Sequence, residues 1–209
     1  GCKLNQYETD ALASRFIHKG YEIVPFDSSA DAYIINTCTV TNKADRKTRN
    51  SINRALRISE AELRGAESDS AMVVVTGCFV DSHREELEKD GRSFVVDNDH
   101  KNTIFELVDG HLNGEIVHPE SLKGDRFAYE ASEQVFRTRG MVKIQDGCDN
   151  FCSFCIIPYV RGGAVSRNID DILNNAREMI SQGYRELVLT GVNMSRYEFE
   201  NYRFSDVVR

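Results

Sequence analysis

Apolar and polar positions along the first half of the chain follow the periods of alternating helices and strands. The pattern predicts helices over 5–19, 42–58, 82–89 and 101–108, and strands over 21–24, 32–37, 71–77 and 93–96. The strand 71–77 is apolar at nearly every position, which is typical of a parallel strand covered on both faces. Strands that alternate with helices predict an α/β fold with a doubly wound parallel sheet.

The pattern changes after residue 118. Residues 119–137 are polar and irregular, which favours a linker between an amino-terminal domain over 1–118 and a second domain over 138–209. The second domain begins with a strand over 141–145, a helix over 169–182 and a strand over 185–190. This order predicts one strand–helix–strand unit of a parallel sheet.

Three of the six cysteines form a compact motif in the second domain. Cys148, Cys152 and Cys155, here called the cluster-loop trio, have Cys-x3-Cys-x2-Cys spacing with no fourth cysteine nearby. Three thiolates on a four-iron cluster leave one iron open to a ligand other than protein. The alternatives are a zinc site, or a disulfide with one cysteine left over. Zinc usually takes four ligands in paired Cys-x2-Cys spacing, so the motif favours an iron–sulfur cluster.

The other three cysteines, Cys2, Cys38 and Cys78, are called the amino-terminal trio. Cys38 and Cys78 each follow a predicted strand directly, and Cys2 precedes the first predicted helix. Residues just past the carboxyl ends of parallel strands converge on one crevice, where such folds bind ligands. The pattern therefore indicates a second three-thiol site. The alternative is that these are ordinary buried cysteines of the core.

These motifs carry a resemblance to a known family. The segment Gly147–Cys155 resembles the cluster loop of radical S-adenosylmethionine (SAM) enzymes. A wider set of segments resembles the radical SAM methylthiotransferases, which replace a C–H bond by a C–SCH3 group. In the second domain these segments are residues 142–148, 155–162 and 166–167, and in the first domain they are residues 1–8, 36–40 and 76–78. The resemblance implies that the second domain is the first βαβ unit of a radical SAM (β/α) barrel.

The resemblance also implies the cofactors, which are two [4Fe–4S] clusters and SAM. The cluster-loop trio would hold the cluster that reduces SAM and releases a 5′-deoxyadenosyl radical. The amino-terminal trio would hold the cluster that carries or delivers sulfur, which a second SAM methylates. The electron would come from a low-potential donor.

The resemblance extends to smaller features of the second domain. Phe154 resembles the aromatic residue that packs on the adenine of SAM, and Gly191 and Asn193 lie where SAM-contacting residues occur. The alternatives are a loop-packing aromatic and a turn that ends a strand. Arg161 is either a contact to SAM or substrate phosphate, or a solvated side chain. No residue is assigned a catalytic role.

Within this family, the segments Gly1–Tyr7, Gln145–Cys152 and Leu189–Asn193 most resemble the branch that acts on N6-threonylcarbamoyladenosine (t6A). We therefore expect transfer of a methylthio group to C2 of t6A, 3′ to the tRNA anticodon. The alternatives are isopentenyladenosine in tRNA and an aspartate of a ribosomal protein. A hypothesis of another class is a non-catalytic iron–sulfur or zinc module that docks on RNA.

Charge and length refine this interpretation. The net charge is −7, from 26 basic and 33 acidic residues, so RNA has to meet a local basic patch. The predicted helix after Cys38 offers such a patch, formed by Lys43, Arg46, Lys47, Arg49, Arg54 and Arg57. The alternative is that these residues are simply a solvated helix face.

We expect a cytoplasmic monomer without a membrane partner, which binds the anticodon stem-loop of tRNA. A complete barrel needs more residues than follow Met141, so we expect an inactive fragment of an active enzyme.

Overall fold

The computed structural model describes residues 1–63, 71–118, 121–129 and 138–209, without the side chains of 61–63. Ten of the 19 residues of the predicted linker, 119–120 and 130–137, therefore lie outside the described residues. Contacts divide the chain into two compact units. The first unit contains Gly1 and Tyr21–Asp125, and the second contains Cys2–Gly20 and Arg126–Arg209.

The first unit is built on a parallel sheet. Strands β1 (Ala32–Thr37), β2 (Met72–Gly77) and β3 (Phe94–Val96) pair in that order. The connections are helix α2 (Asn42–Leu63) and helix α3 (Cys78–Asp90). A 3-10 turn (Lys101–Thr103) then leads into helix α4 (Ile104–Leu112). This confirms the α/β fold with a parallel sheet.

Burial explains why β2 forms the centre of this sheet. All six of its residues are buried, so both faces of the strand are covered, as its continuous apolar pattern predicts. Tyr33 and Ile35 of β1 pack with residues of β2 in one apolar cluster, to which α2 and α3 contribute. Branched Val and Ile side chains suit this pleated, buried surface.

Two predicted elements of this unit differ from the structure. The predicted strand over 21–24 is not a strand, because none of the described strands pairs with it and Ile23 is 46% exposed. The predicted helix over 82–89 begins earlier, at Cys78, so that this cysteine opens α3 directly after β2. The helix propensity of residues 78–81 does not indicate that α3 begins directly after β2.

The second unit contains the predicted strand–helix–strand unit. Strands β4 (Gly140–Lys143) and β7 (Leu187–Thr190) pair in parallel. Between them lie β5 (Gln145–Asp146), helix α5 (Ile157–Val160), β6 (Val165–Ser166) and helix α6 (Ile169–Ser181). β5 pairs antiparallel with β6. After β7 follow the antiparallel pair β8 (Glu198–Phe199) and β9 (Tyr202–Arg203), and helix α7 (Phe204–Val208).

Helix α1 (Lys3–His18) belongs to the second unit. This division differs from the predicted amino-terminal domain over 1–118, which includes that helix. The physical reason is packing, because Tyr7 and Ala11 of α1 share an apolar cluster with Met141 of β4. The predicted helix over 5–19 begins earlier, at Lys3, so that Asn5 is a buried residue inside α1.

Four buried charges join α1 to the strands of this unit. Glu8, Lys143, Asp146 and Arg161 are each at most 3% exposed, and their formal charges cancel. Lys143 Nζ lies 3.0 Å from Glu8 Oε1 and 2.6 Å from Asp146 Oδ2. Arg161 Nη1 lies 3.1 Å from the same two carboxylates. Each buried charge therefore has an opposite partner, which buried ions require.

In the described part of the chain, every helix is too short or too polar to span a bilayer.

Candidate functional site

The cluster-loop trio lies on the loop that connects β5 to α5. Cys148 is buried, Cys152 is exposed and Cys155 is half-buried, and all three are free thiols. The amide of Cys148 donates to the Gly162 carbonyl at 3.0 Å, and the amide of Cys155 donates to the Cys152 carbonyl at 2.9 Å. The loop is therefore closed at its start by contact with the residues that follow α5.

Gly147 makes this closure sterically possible. Its φ is +69°, in the left-handed region that favours glycine, and a Cβ there would lie 1.8 Å from the Gly163 carbonyl oxygen. The segment after α5 thus touches the backbone just before Cys148. Any side chain at position 147 has to push these two segments apart.

Gln145 fixes the same turn from inside. Its side chain is fully buried, and Nε2 donates to the carbonyls of Asp146 and Gly147, at 2.7 Å each. Its Oε1 accepts from the backbone amide of Asn193 at 2.7 Å. Sequence reasoning left Gln145 without a role, because its three partners lie on two separate loops.

The predicted SAM-contacting residues take different positions around this loop. Asn193 Nδ2 lies 3.8 Å from Cys148 Sγ, so this residue is next to the trio. Gly191 packs against Gln145, whose Cβ would be 3.1 Å from a Cβ at position 191. Phe154 is 91% exposed and is free to meet a ligand. Contact of these residues with SAM stays a prediction.

Arg161 does not have either of the roles expected from sequence. It is 3% exposed and its guanidinium is paired with Glu8 and Asp146, so it is neither solvated nor directed at a phosphate. Burial alone would raise the pKa of Asp146, but Lys143 and Arg161 outweigh that effect and lower it. Asp146 therefore stays ionised beneath the cluster loop.

Two cysteines of the amino-terminal trio lie where the strand pattern predicted. Cys38 follows β1 and Cys78 follows β2, and the last residues of these strands, Thr37 and Gly77, are register partners. Gly77 has φ +98°, and a Cβ there would lie 2.5 Å from the Thr37 carbonyl oxygen. Cys78 is the first residue of α3, and a helix N-terminus favours a thiolate. Cys2 belongs to the second unit.

A polar cluster surrounds Cys78 at this edge of the sheet. Asn98, which follows β3, places Nδ2 at 3.9 Å from Cys78 Sγ and donates to Asp81 Oδ2 at 2.6 Å. Burial raises the pKa of Asp81 to about 6, with a further contribution from Asp97. Lys101 acts in the opposite direction. Sequence reasoning missed Asn98 and Asp81, although Asn98 lies just after a strand of the same sheet, as Cys38 and Cys78 do.

The donor chemistry of both trios fits iron–sulfur ligation. All six cysteines are free thiols, and an amide nitrogen lies within 4 Å of the sulfur in Cys78 and in Cys148. Hydrogen bonds to sulfur are among the features that tune such clusters. Among the described residues, no three Cys, His, Asp or Glu side chains are gathered around one point as in a loaded metal site. Ligation by the trios therefore stays a prediction.

Helix α2 presents the predicted basic residues on the surface. The six are exposed: Lys43, Arg46, Lys47, Arg49, Arg54 and Arg57. Arg49 pairs with Glu86 and Arg54 with Asp27, which partly neutralises this face.

Comparison with known proteins decides the family. Residues 1–97 match the family described as "Uncharacterized protein family UPF0004", and residues 142–204 match the "Radical SAM superfamily". A threonylcarbamoyladenosine tRNA methylthiotransferase of Aquifex aeolicus is 36% identical over 96% of this chain and 48% of its own length. The chain belongs to the radical SAM methylthiotransferase family.

Other members of the methylthiotransferase family align over the same extent. A threonylcarbamoyladenosine tRNA methylthiotransferase of Bacillus subtilis is 35% identical over the whole chain and 46% of its own length. A tRNA-2-methylthio-N(6)-dimethylallyladenosine synthase of Thermotoga petrophila is 32% identical over 94% of the chain and 43% of its own length. The chain thus spans about half the length of these relatives.

A solved structure supports the fold of this chain. The radical SAM methyltransferase TsrM of Kitasatospora setae matches 91% of the chain and 46% of its own length, with a TM-score of 0.56. Its sequence is 16% identical, so the likeness concerns the fold alone.

Replacement of Gly147 by alanine should abolish the cluster of the cluster-loop trio, because the loop cannot close around the added Cβ. After anaerobic reconstitution with iron and sulfide, we expect about eight irons per wild-type chain and about four per Gly147→Ala chain. Gly114→Ala is the matched control, because Gly114 also has a positive φ, +77°, but open space around it. Equal iron in the wild type and Gly147→Ala, or one zinc per wild-type chain without cluster absorbance, would contradict the assignment.

The raised pKa of Asp81 predicts a pH-dependent stability. The folded chain binds this proton more tightly than the unfolded chain, so the contribution of Asp81 to stability is lost as pH rises from 3.8 to about 6. In Asp81→Asn the free energy of unfolding relative to wild type should therefore increase over this range, as measured by urea denaturation. The exposed Asp171, in the second unit, provides the control variant, Asp171→Asn. A constant difference for Asp81→Asn at all pH values would refute the assignment.

Proposed function

We propose that this chain carries the two cluster-binding parts of an enzyme that transfers a methylthio group to C2 of t6A, 3′ to the tRNA anticodon. The observation that supports the reaction class is the glycine-bounded loop that holds Cys148 beside Asn193, at the end of β7. The branch is supported by relatives named for threonylcarbamoyladenosine, which are 34–36% identical. Relatives named for dimethylallyladenosine are 28–32% identical.

The residues divide the work between two sites in this proposal. The cluster-loop trio would hold a [4Fe–4S] cluster, which when bound would supply the electron that cleaves SAM and so provides the radical that attacks a C–H bond. Phe154 covers the adenine of SAM, and Gly191 and Asn193 border the same pocket. The amino-terminal trio holds the second cluster, at which sulfur is bound. A low-potential donor would supply the electron for SAM cleavage.

Helix α2 is the proposed contact to the tRNA backbone. Lys43, Arg46 and Lys47 are exposed in its first two turns, just after Cys38. Lysine and arginine side chains bind phosphate independently of sequence. This places the basic patch next to the proposed sulfur site, although the chain is acidic as a whole.

The substrate is tested by nucleoside analysis of tRNA from cells in which the gene encoding this chain is deleted. Methylthio-t6A should disappear while methylthio-isopentenyladenosine remains. The wild-type gene and a Ser153→Ala variant should restore the nucleoside, whereas Cys148→Ala should not, because Ser153 lies in the same loop but has no predicted ligand role. Persistence of methylthio-t6A after deletion would exclude this branch. Restoration by Cys148→Ala would favour a non-catalytic RNA-docking module.

A further inference from the structure

The buried guanidinium of Arg161 lies between two cysteine-bearing segments of the second unit. On one side, Arg161 Nη2 is 3.3 Å from Asn5 Oδ1, which also accepts from Cys2 Sγ at 2.9 Å. On the other side, Arg161 Nη1 donates to both oxygens of Asp146 at 3.1 Å. Asp146 Oδ1 accepts from the amide of Gly147 at 2.7 Å. The contacts form a continuous path from the thiol of Cys2 to the residue before Cys148.

The shape of arginine explains how one side chain makes this connection. Its planar fork binds Glu8 and Asp146 and also reaches Asn5, whereas the ammonium of Lys143 acts as a compact charge on the two carboxylates. Asn5 and Glu8 are three positions apart on α1, so they lie on one helix face. A single guanidinium can therefore hold the first turns of α1 and the turn before Cys148 together.

Burial makes the connection rigid. Asn5 and Arg161 are each 3% exposed, and Glu8 and Asp146 are each 2% exposed. Water cannot replace a contact that is lost in this position, and an unpaired buried charge is costly. A shift of Arg161 therefore moves both segments, and neither segment can relax alone.

On the basis of the proposed function, we propose that Arg161 is a positioning residue that couples the two cysteine sets. It acts on Cys2 through Asn5 and on the cluster loop through Asp146 and Gly147. In the cluster-free chain, where the Cys2 thiol donates to Asn5 Oδ1, the position of Cys2 is thereby linked to the conformation of the cluster loop.

The first test is hydrogen exchange in the cluster-free chain, which does not depend on activity. Asn5→Ala should speed exchange of the Gln6 amide, which bonds the Cys2 carbonyl, and also of the distant Gly147 amide, by about threefold or more. Arg161→Met should speed both by about tenfold or more. If Asn5→Ala speeds exchange only in the first turn of α1 and not at Gly147, the proposal is overturned. This result decides the proposal even if Arg161→Met does not fold.

Arg167→Met is the matched control for loss of a buried arginine. Arg167 is 8% exposed and bonds the Lys143 carbonyl and Asn175 in the same unit, and it also lies beside the Tyr7 hydroxyl of α1, but neither Asn5 nor Asp146 is among these partners. We expect this variant to lower the unfolding temperature without selective exchange at Gln6 and Gly147. Faster exchange at the Gln6 and Gly147 amides in Arg167→Met as well would show that loss of any buried arginine has this effect. That result would contradict the coupling proposed for Arg161.

The second test is spectroscopic. After anaerobic reconstitution, Asn5→Ala should change the electron paramagnetic resonance spectrum and midpoint potential of the cluster held by the cluster-loop trio, although Asn5 is on the Cys2 helix. An unchanged spectrum and potential would overturn the proposal. If the wild-type chain takes up no cluster, the proposed function fails, and hydrogen exchange alone decides whether Arg161 couples the two segments.

Discussion

The buried ion network of Glu8, Lys143, Asp146 and Arg161 is the interaction on which the second unit depends. It joins helix α1 to β4, to β5 and to the residue after α5, which are distant in sequence. Two acids and two bases cancel in formal charge, and each carboxylate meets both cations at 2.6 to 3.1 Å. Loss of one partner of such a pair typically costs about 3–5 kcal/mol, because the other charge is left buried.

The two cysteine sets are placed by different physical means. In the first unit, Cys38 and Cys78 owe their location to parallel strands in register, which bring consecutive strand ends to one edge. In the second unit, the cluster loop follows β5, which pairs with β6 over only two residues. It is closed by the contact of Gly147 with the segment after α5 and by hydrogen bonds from the Gln145 side chain. The ion network lies directly beneath that closure.

Sequence patterns predicted the local elements well and the long-range partners poorly. The continuous apolar run of β2 and the strand-end cysteines follow from periodicity alone, and the structure confirms these positions. The segment 21–24 has strand propensity but no strand beside it, and propensity cannot reveal that. Arg161 was expected to be solvated or ligand-bound, because nothing near it in sequence indicates Glu8, a partner 153 positions away. Likewise, packing of Tyr7 on Met141, rather than sequence order, places α1 with the second unit.

A double-mutant cycle between Glu8→Gln and Arg161→Met tests the central role of the ion network most directly. Urea denaturation would give the free energy of unfolding of the wild type, the two single variants and the double variant. We predict a coupling free energy of about 1–3 kcal/mol, with the double variant less destabilised than the sum of the single variants. Effects that add within about 0.5 kcal/mol would contradict the account, because they would show that the two side chains contribute independently.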